Sequence, residues 1–189
     1  MKRIGILALQ GAFCEHQRAV EQLGAKGIEI RQKMDLLQGN YDGIILPGGE
    51  STVIGKLLNE LGILSVLKRM IEDGIPVFGT CAGMILLAKE LSNDSSRYLE
   101  TMDIRVRRNG YGRQLGSFQT YENFRGLGRI PMTFIRAPYI EEVRAEEGVE
   151  ILATVENRVV AAKQRNMLVT SFHPELTEDL SVHQYFLEM

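Results

Sequence analysis

Ile75-Pro-Val-Phe-Gly-Thr-Cys81-Ala-Gly-Met-Ile-Leu-Leu87 reads as a buried strand that stops at a glycine and leaves as a helix. The strand is expected over Ile75–Phe78 and the helix over Met84–Leu91. Between them, Gly79-Thr80-Cys81-Ala82-Gly83 places a cysteine in the middle of a G-x-nucleophile-x-G spacing. A sharp strand-to-helix turn presses backbone on backbone, and glycine leaves room where a Cβ would clash. Such a turn lifts Cys81 out of the sheet and sets it at a helix N-terminus, whose partial positive charge favours the thiolate. An ordinary thiol is only a few per cent ionised at pH 7, and a fall of one pKa unit, about 1.4 kcal/mol, raises that to roughly a quarter. The N–H of Ala82 then points where an oxyanion would form. The competing reading is a buried cysteine packed beside a tight turn; the paired glycines and the preceding strand favour a nucleophile. Cys14, within a helical stretch, has no such setting and reads as structural.

Outward from this turn, strands alternate with helices. Arg3–Leu9 and Tyr41–Leu46 are apolar runs and Gly27–Arg31 is a short strand, whereas Phe13–Leu23, Val53–Leu61 and Leu64–Ile71 carry apolar residues at helical spacing. This order predicts a parallel sheet with helices on both faces. After Ser92–Leu99, a polar surface loop, the pattern changes. Met102–Val106, Pro131–Ile135, Glu150–Val155, Val159–Lys163 and Met167–Phe172 read as strands, with Glu156-Asn157-Arg158 as a tight hairpin turn and Thr177–Met189 as a closing helix. The expected fold is therefore a three-layer α/β domain over residues 1–189, with a mostly parallel central sheet and extra antiparallel strands in the C-terminal half.

Composition narrows the function. The 189 residues are 44% apolar and 24% charged, with a net charge of −2. A domain of this length buries roughly 70% of its unfolded surface and needs no staples. The charge balance speaks against a protein held on nucleic acid, which would carry a basic excess. No apolar run approaches the about 20 residues of a membrane span, and the N-terminal run is too short for a signal peptide. Two cysteines make no disulfide framework, so a reducing, cytoplasmic location is expected. With no C-x-x-C and no H-x-x-x-H, no metal site is expected.

A cysteine nucleophile needs a base. Of three histidines, His173 lies in Ser171-Phe-His-Pro-Glu-Leu-Thr-Glu-Asp179. Pro174 biases it toward extended backbone, which turns residues two apart the same way and lets Glu175 accept a ring N–H from His173. His16 and His183 fall on expected helices and read as solvated or interfacial. Leu46-Pro-Gly-Gly-Glu-Ser-Thr52 follows a strand and opens a helix, a loop that can bring a second N–H toward Cys81. In the basic stretch Ile104–Arg113, Arg108 shares strand parity with Ile104 and Val106 and therefore requires a carboxylate partner, while Arg105 and Arg107 face solvent. Arg136 likewise ends an apolar run.

Taken together, Gly79–Gly83, Pro47-Gly-Gly-Glu-Ser51 and His173-Pro-Glu175 resemble the triad-type (class I) glutamine amidotransferases. Leu7–Ala12, Arg108–Gln114, Phe134-Ile-Arg-Ala-Pro138 and Ala161-Ala-Lys-Gln164 narrow the resemblance to the glutaminase subunits of pyridoxal 5′-phosphate synthases, over nearly the whole chain. The departures, Cys14 and a last helix that stops early, lie outside these motifs. The resemblance implies a flavodoxin-like fold and hydrolysis of L-glutamine to glutamate and ammonia. It implies Cys81, His173 and Glu175 as the triad, and Gly49 and Ala82 as oxyanion donors. Gly49, Glu50, Ser51, Arg108, Ile135 and Arg136 would hold glutamine. It also implies ammonia transfer to a barrel-shaped synthase subunit, with pyridoxal phosphate a product made on that partner and no cofactor in this chain.

Two alternatives stay open: a glutaminase serving another synthase, and a redox or peptidase relative with a cysteine on the same turn. An electrophilic glutamine analogue is expected to label Cys81 and spare Cys14, as read by peptide mass; labelling concentrated on Cys14 would reverse the assignment.

Overall fold

The computed structural model describes residues 1–110 and 116–189. In chain order the elements are β1 (Arg3–Leu7), α1 (Phe13–Gln22), β2 (Lys26–Ile30), α2 (Lys33–Gln38), β3 (Gly43–Leu46), α3 (Ser51–Glu60), α4 (Leu64–Glu72), β4 (Val77–Thr80), α5 (Ala82–Leu87) and β5 (Ala88–Leu91). There follow β6 (Met102–Arg107), β7 (Ser117–Phe124), β8 (Gly128–Ile135), β9 (Tyr139–Val143), β10 (Glu150–Val155), β11 (Arg158–Gln164), β12 (Met167–Thr170) and α6 (Ser181–Leu187). The sheet runs β2-β1-β3-β4-β12-β11-β10-β7-β8, with β5, β6 and β9 branching from β11. From β2 to β12 all pairings are parallel, and from β12 onward along this path they are antiparallel.

Strand periodicity of two decides which helices cover which face. Leu7, Ile44, Leu46, Val77, Met167 and Val169 join one buried cluster with Leu36 of α2, Ile54 and Leu58 of α3, Leu67 and Ile71 of α4, and α5. Ile4, Ile6, Ile45, Phe78 and Leu168 point the other way, against Val20 of α1 and Val182 and Phe186 of α6. The expected three layers and mixed sheet are thus present. The β10–β11 hairpin turns on Glu156 and Asn157, both at positive φ (48° and 62°), as the sequence predicts.

Several elements depart from expectation. The helix expected over Met84–Leu91 ends at Leu87, because Ala88 turns extended (ψ 137°) and Ala88–Leu91 pairs with β6. Met84–Ala88 is an unbroken apolar run and only Lys89-Glu90 separates it from Leu91, so periodicity could not separate helix from strand. Three elements went unread. The first is α2, a six-residue helix, and the second is β9. The third is β7, whose eight residues pair along the full length of β8. β8 itself begins at Gly128, not Pro131; Pro131 is tolerated because β8 is the sheet's edge. Closing helix α6 starts only at Ser181, after a 3-10 turn over Pro174–Leu176. Among the described residues, no helix is long and apolar enough to cross a membrane.

The carboxyl ends of β1, β3, β4 and β12 lie side by side, which is where open α/β sheets place their ligands. At the end of β4 the chain turns through Cys81 (φ 49°, ψ −97°). The turn is tight enough that a Cβ on Gly79 would lie 2.7 Å from the Gly83 carbonyl carbon, and one on Gly83 would lie 2.1 Å from the Leu46 oxygen. Both obstacles are backbone and cannot swing aside. Gly83→Ala is therefore expected to cost about 3 kcal/mol or more of unfolding free energy, measurable by urea denaturation.

Candidate active site

A cleft of about 350 Å³ opens above these strand ends. Its walls include Gly49, Glu50, Ser51, Cys81, Arg108, Ile135, Arg136 and His173. Of the residues expected at the site, Ala82 and Glu175 do not line the cleft. Ala82 is buried behind Cys81 as the first residue of α5, and Glu175 is buried behind His173.

Cys81 is held by its own backbone: its N–H donates to the Thr170 carbonyl at 2.8 Å, tying the turn to β12. A non-glycine residue at φ 49° carries strain on the order of 1–3 kcal/mol, and it survives only because packing leaves no alternative. His173 comes to Cys81 from the end of β12, and its N–H donates to Thr133 of β8 at 2.8 Å. Nδ1 of His173 lies 2.7 Å from Oε1 of Glu175. This contact is the expected one, but its cause differs from the extended segment predicted. Pro174–Leu176 forms a 3-10 turn, and that turn folds the Glu175 carboxylate back under the ring.

The charges follow from these contacts. Burial works against a charged His173, yet hydrogen bonds to Cys81 and Glu175 and the charges of both outweigh it, raising the imidazole to about 10. Burial also pushes the Glu175 carboxyl up, but His16 and His173 bring it below the usual carboxylate range. The arrangement therefore favours an imidazolium held between a sulfur and a carboxylate.

His16 and His183 contradict the expectation that they are solvated or interfacial. Both are fully buried, His16 facing Glu175 from α1 and His183 facing His16 from α6. Their helices pack on the sheet face that carries Phe78, whose ring meets both imidazoles edge-on.

The glycine loop is clamped from the N-terminal side of the cleft. The Glu50 N–H donates to Oε1 of Gln10 at 2.8 Å, and the Ala12 N–H donates to the Gly48 carbonyl at 3.1 Å. Gly48 lies against His173 and Cys81: a Cβ there would sit 2.4 Å from Cε1 of His173 and 3.4 Å from Cβ of Cys81. Sequence reading named neither Gln10 nor Gly48 as a site residue. The available signal was their position just past a parallel strand, at the carboxyl edge.

Arg108 lies one residue beyond β6, so strand parity no longer governs it. Asn93 grips its backbone at both ends, Oδ1 accepting the Arg108 N–H at 3.1 Å and Nδ2 donating to its carbonyl at 3.0 Å. The guanidinium reaches the cleft and pairs with Asp94, so the required carboxylate comes from the Ser92–Leu99 loop. Bonds from Ser96, then Arg108, hold the Asp94 carboxyl down to about 2. Arg105 and Arg107 are partly exposed and pair with Glu141 and Glu142 on β9. Arg136 stands at the cleft mouth with φ 41°. Of the Arg108–Gln114 motif, residues 111–114 lie outside the described residues. Among the described residues, no group of His, Cys, Asp or Glu is arranged to hold a metal ion.

The sequence profile of the SNO glutamine amidotransferase family matches residues 6–189. This chain belongs to the SNO glutamine amidotransferase family. Among its relatives, a protein named pyridoxal 5′-phosphate synthase subunit PdxT from Streptococcus pneumoniae (strain CGSP14) is 58% identical over 189 residues, covering 99% of this chain and 96% of that one. A protein of the same name from Haemophilus influenzae (strain PittEE) is also 58% identical, covering 99% and 97%. A solved glutamine amidotransferase superposes with a TM-score of 0.91 at 44% identity, covering 98% of this chain and 97% of that one.

Within this amidotransferase, the Arg108–Asp94 pair is partly solvated. Arg108→Ala is accordingly expected to change unfolding free energy by about 1 kcal/mol or less. A large fall in Tm would instead make Arg108 a structural ion-pair partner.

Proposed function

We propose that this chain is the glutaminase subunit of a pyridoxal 5′-phosphate synthase, hydrolysing L-glutamine and passing ammonia to a barrel-shaped synthase subunit. The observation that carries the reading is Cys81 on its strained turn, sharing a cleft with a hydrogen-bonded His173–Glu175 pair and two arginines. The identity to the PdxT proteins over full length supports the choice of synthase. We read residues 1–189 as one glutaminase domain, in a reducing cytoplasm that suits free Cys14 and Cys81.

In this mechanism the Cys81 thiolate attacks the side-chain amide carbon of glutamine. The N–H groups of Gly49 and Ala82 receive the oxyanion, each such donor lowering the barrier by about 2.7–4 kcal/mol. His173, already protonated, gives its proton to the departing nitrogen, so ammonia leaves and a glutamyl thioester remains. The neutral imidazole then takes a proton from water as water attacks the thioester. Collapse expels the thiolate, releases glutamate and restores the ion pair. Glu175 stays ionised throughout and sets the His173 tautomer. Glu50, Ser51, Ile135, Arg108 and Arg136 hold the amino-acid end of glutamine, the arginines near its carboxylate. Pyridoxal phosphate is a product formed on the partner, so this chain carries no cofactor.

Ammonia release from glutamine, with and without the synthase subunit, tests the reading. Cys81→Ala should abolish release. Glu175→Gln should keep the melting temperature near that of the unaltered chain and lower turnover by up to the order of 10⁴-fold, the loss associated with a wrong tautomer. Full activity in Glu175→Gln would reduce the triad to a dyad.

A further inference from the structure

Two of the chain's three histidines take no part in the mechanism above, yet both are completely buried. They form a line ending on the triad. Nε2 of His183 lies 2.9 Å from Nδ1 of His16. Nε2 of His16 lies 3.0 Å from the Thr80 hydroxyl and 3.5 Å from Oε2 of Glu175. Oε1 of the same carboxylate meets His173 at 2.7 Å. Oε2 is buried and makes no hydrogen bond of its own, so the His16 edge is what faces it.

The proton positions along this line can be deduced. Nδ1 of His183 is buried without a partner. An orphaned N–H is the costlier defect, so that nitrogen carries the lone pair and Nε2 carries the proton. His183 then donates to Nδ1 of His16, which leaves the His16 proton on Nε2, directed between Thr80 and Glu175. The opposite assignment would orphan an N–H at His183 and turn a lone pair toward a carboxylate. Burial keeps both rings neutral, His16 below its ordinary pKa and His183 down to about 3.

We infer that His16, oriented by His183, is a positioning residue for the triad: its neutral Nε2–H, held by Thr80 at 3.0 Å, faces Oε2 at 3.5 Å and its dipole restrains the plane of the Glu175 carboxylate so that Oε1 meets His173. The terminal torsion of a glutamate is soft, and one bonded oxygen leaves the other free to swing. A neutral donor restrains it without competing with His173 for the carboxylate's charge, which a second imidazolium would do. The titratable groups facing the pair are His183 from α6, His173 and Glu175 from the last turn, and Glu15 on α1. Without the Nε2–H, His173 opposes burial at Glu175 with less support, the carboxyl pKa rises, and the acid limb of turnover moves to higher pH.

This inference rests on the proposed triad, and the test separates the two. Glutamine hydrolysis is measured in the assembled synthase for His16→Leu, His16→Gln and Cys81→Ala. His16→Leu should lower kcat by about 10-fold, with KM within about twofold and the acid limb shifted upward. His16→Gln, which retains an N–H donor, should restore most of the turnover. Unchanged kcat and pH profile beside an inactive Cys81→Ala overturn this inference alone, whereas an active Cys81→Ala overturns the triad and the inference with it. Should the variants fail to fold, ¹⁵N-histidine NMR of the unaltered chain decides. Neutral Nε2–H tautomers at His16 and His183 at pH 7 support the inference, and an Nδ1–H tautomer or an imidazolium at His16 overturns it.

Discussion

The site depends on a single close approach, the Leu46 carbonyl oxygen against the α-carbon of Gly83. This contact locks the end of β3 to the start of α5 and leaves the chain between β4 and α5 only one way to turn. Cys81 is forced to positive φ as a consequence. The same approach lowers the Pro47–Gly49 loop beside the sulfur, with Gly48 packed on the His173 ring. Strain at the cysteine and order in the neighbouring loop therefore have one steric origin.

The second constraint is electrostatic. An ionised Glu175 with a fully buried side chain is tolerable only if its two oxygens find positive or dipolar neighbours. One neighbour is His173, brought by the 3-10 turn; the other is His16, brought across the sheet edge by α1. The histidine line is set into an otherwise apolar layer that includes Phe78, Phe172, Val182 and Phe186. Apolar packing and a buried polar line share this layer, so the face of the sheet opposite α3 and α4 is not simply an apolar filling.

The turn around Cys81 was legible because its signal is local: glycines, a preceding strand and an apolar helix all fall within thirteen residues. β1 and β3 were legible for the same reason, each lying in a compact apolar run. β7 was not, since Ser117–Phe124 is largely polar and exists as a strand through its pairing with β8. His16 and His183 were misread because 167 residues separate partners that meet only when α1 and α6 cover one sheet face. Helical position alone says nothing of which side of a helix is buried. For Arg108, the need for a carboxylate was readable from charge and apolar neighbours, while its source, the loop at Asp94, was set by the course of the chain after β5.

The placement of β12 has a consequence for how the protein is made. This strand comes from the last quarter of the sequence, yet it sits in the middle of the sheet, between β4 and β11. During synthesis, β4 emerges long before its neighbour β12 and presents an open edge of unpaired N–H and C=O groups. Such a long-range closure slows folding and extends the time during which that edge is exposed. The same delay withholds His173 from Cys81, so the two side chains meet only when the sheet closes. A nascent or truncated chain thus carries the sulfur without its histidine neighbour, and assembly of the cleft coincides with closure of the sheet.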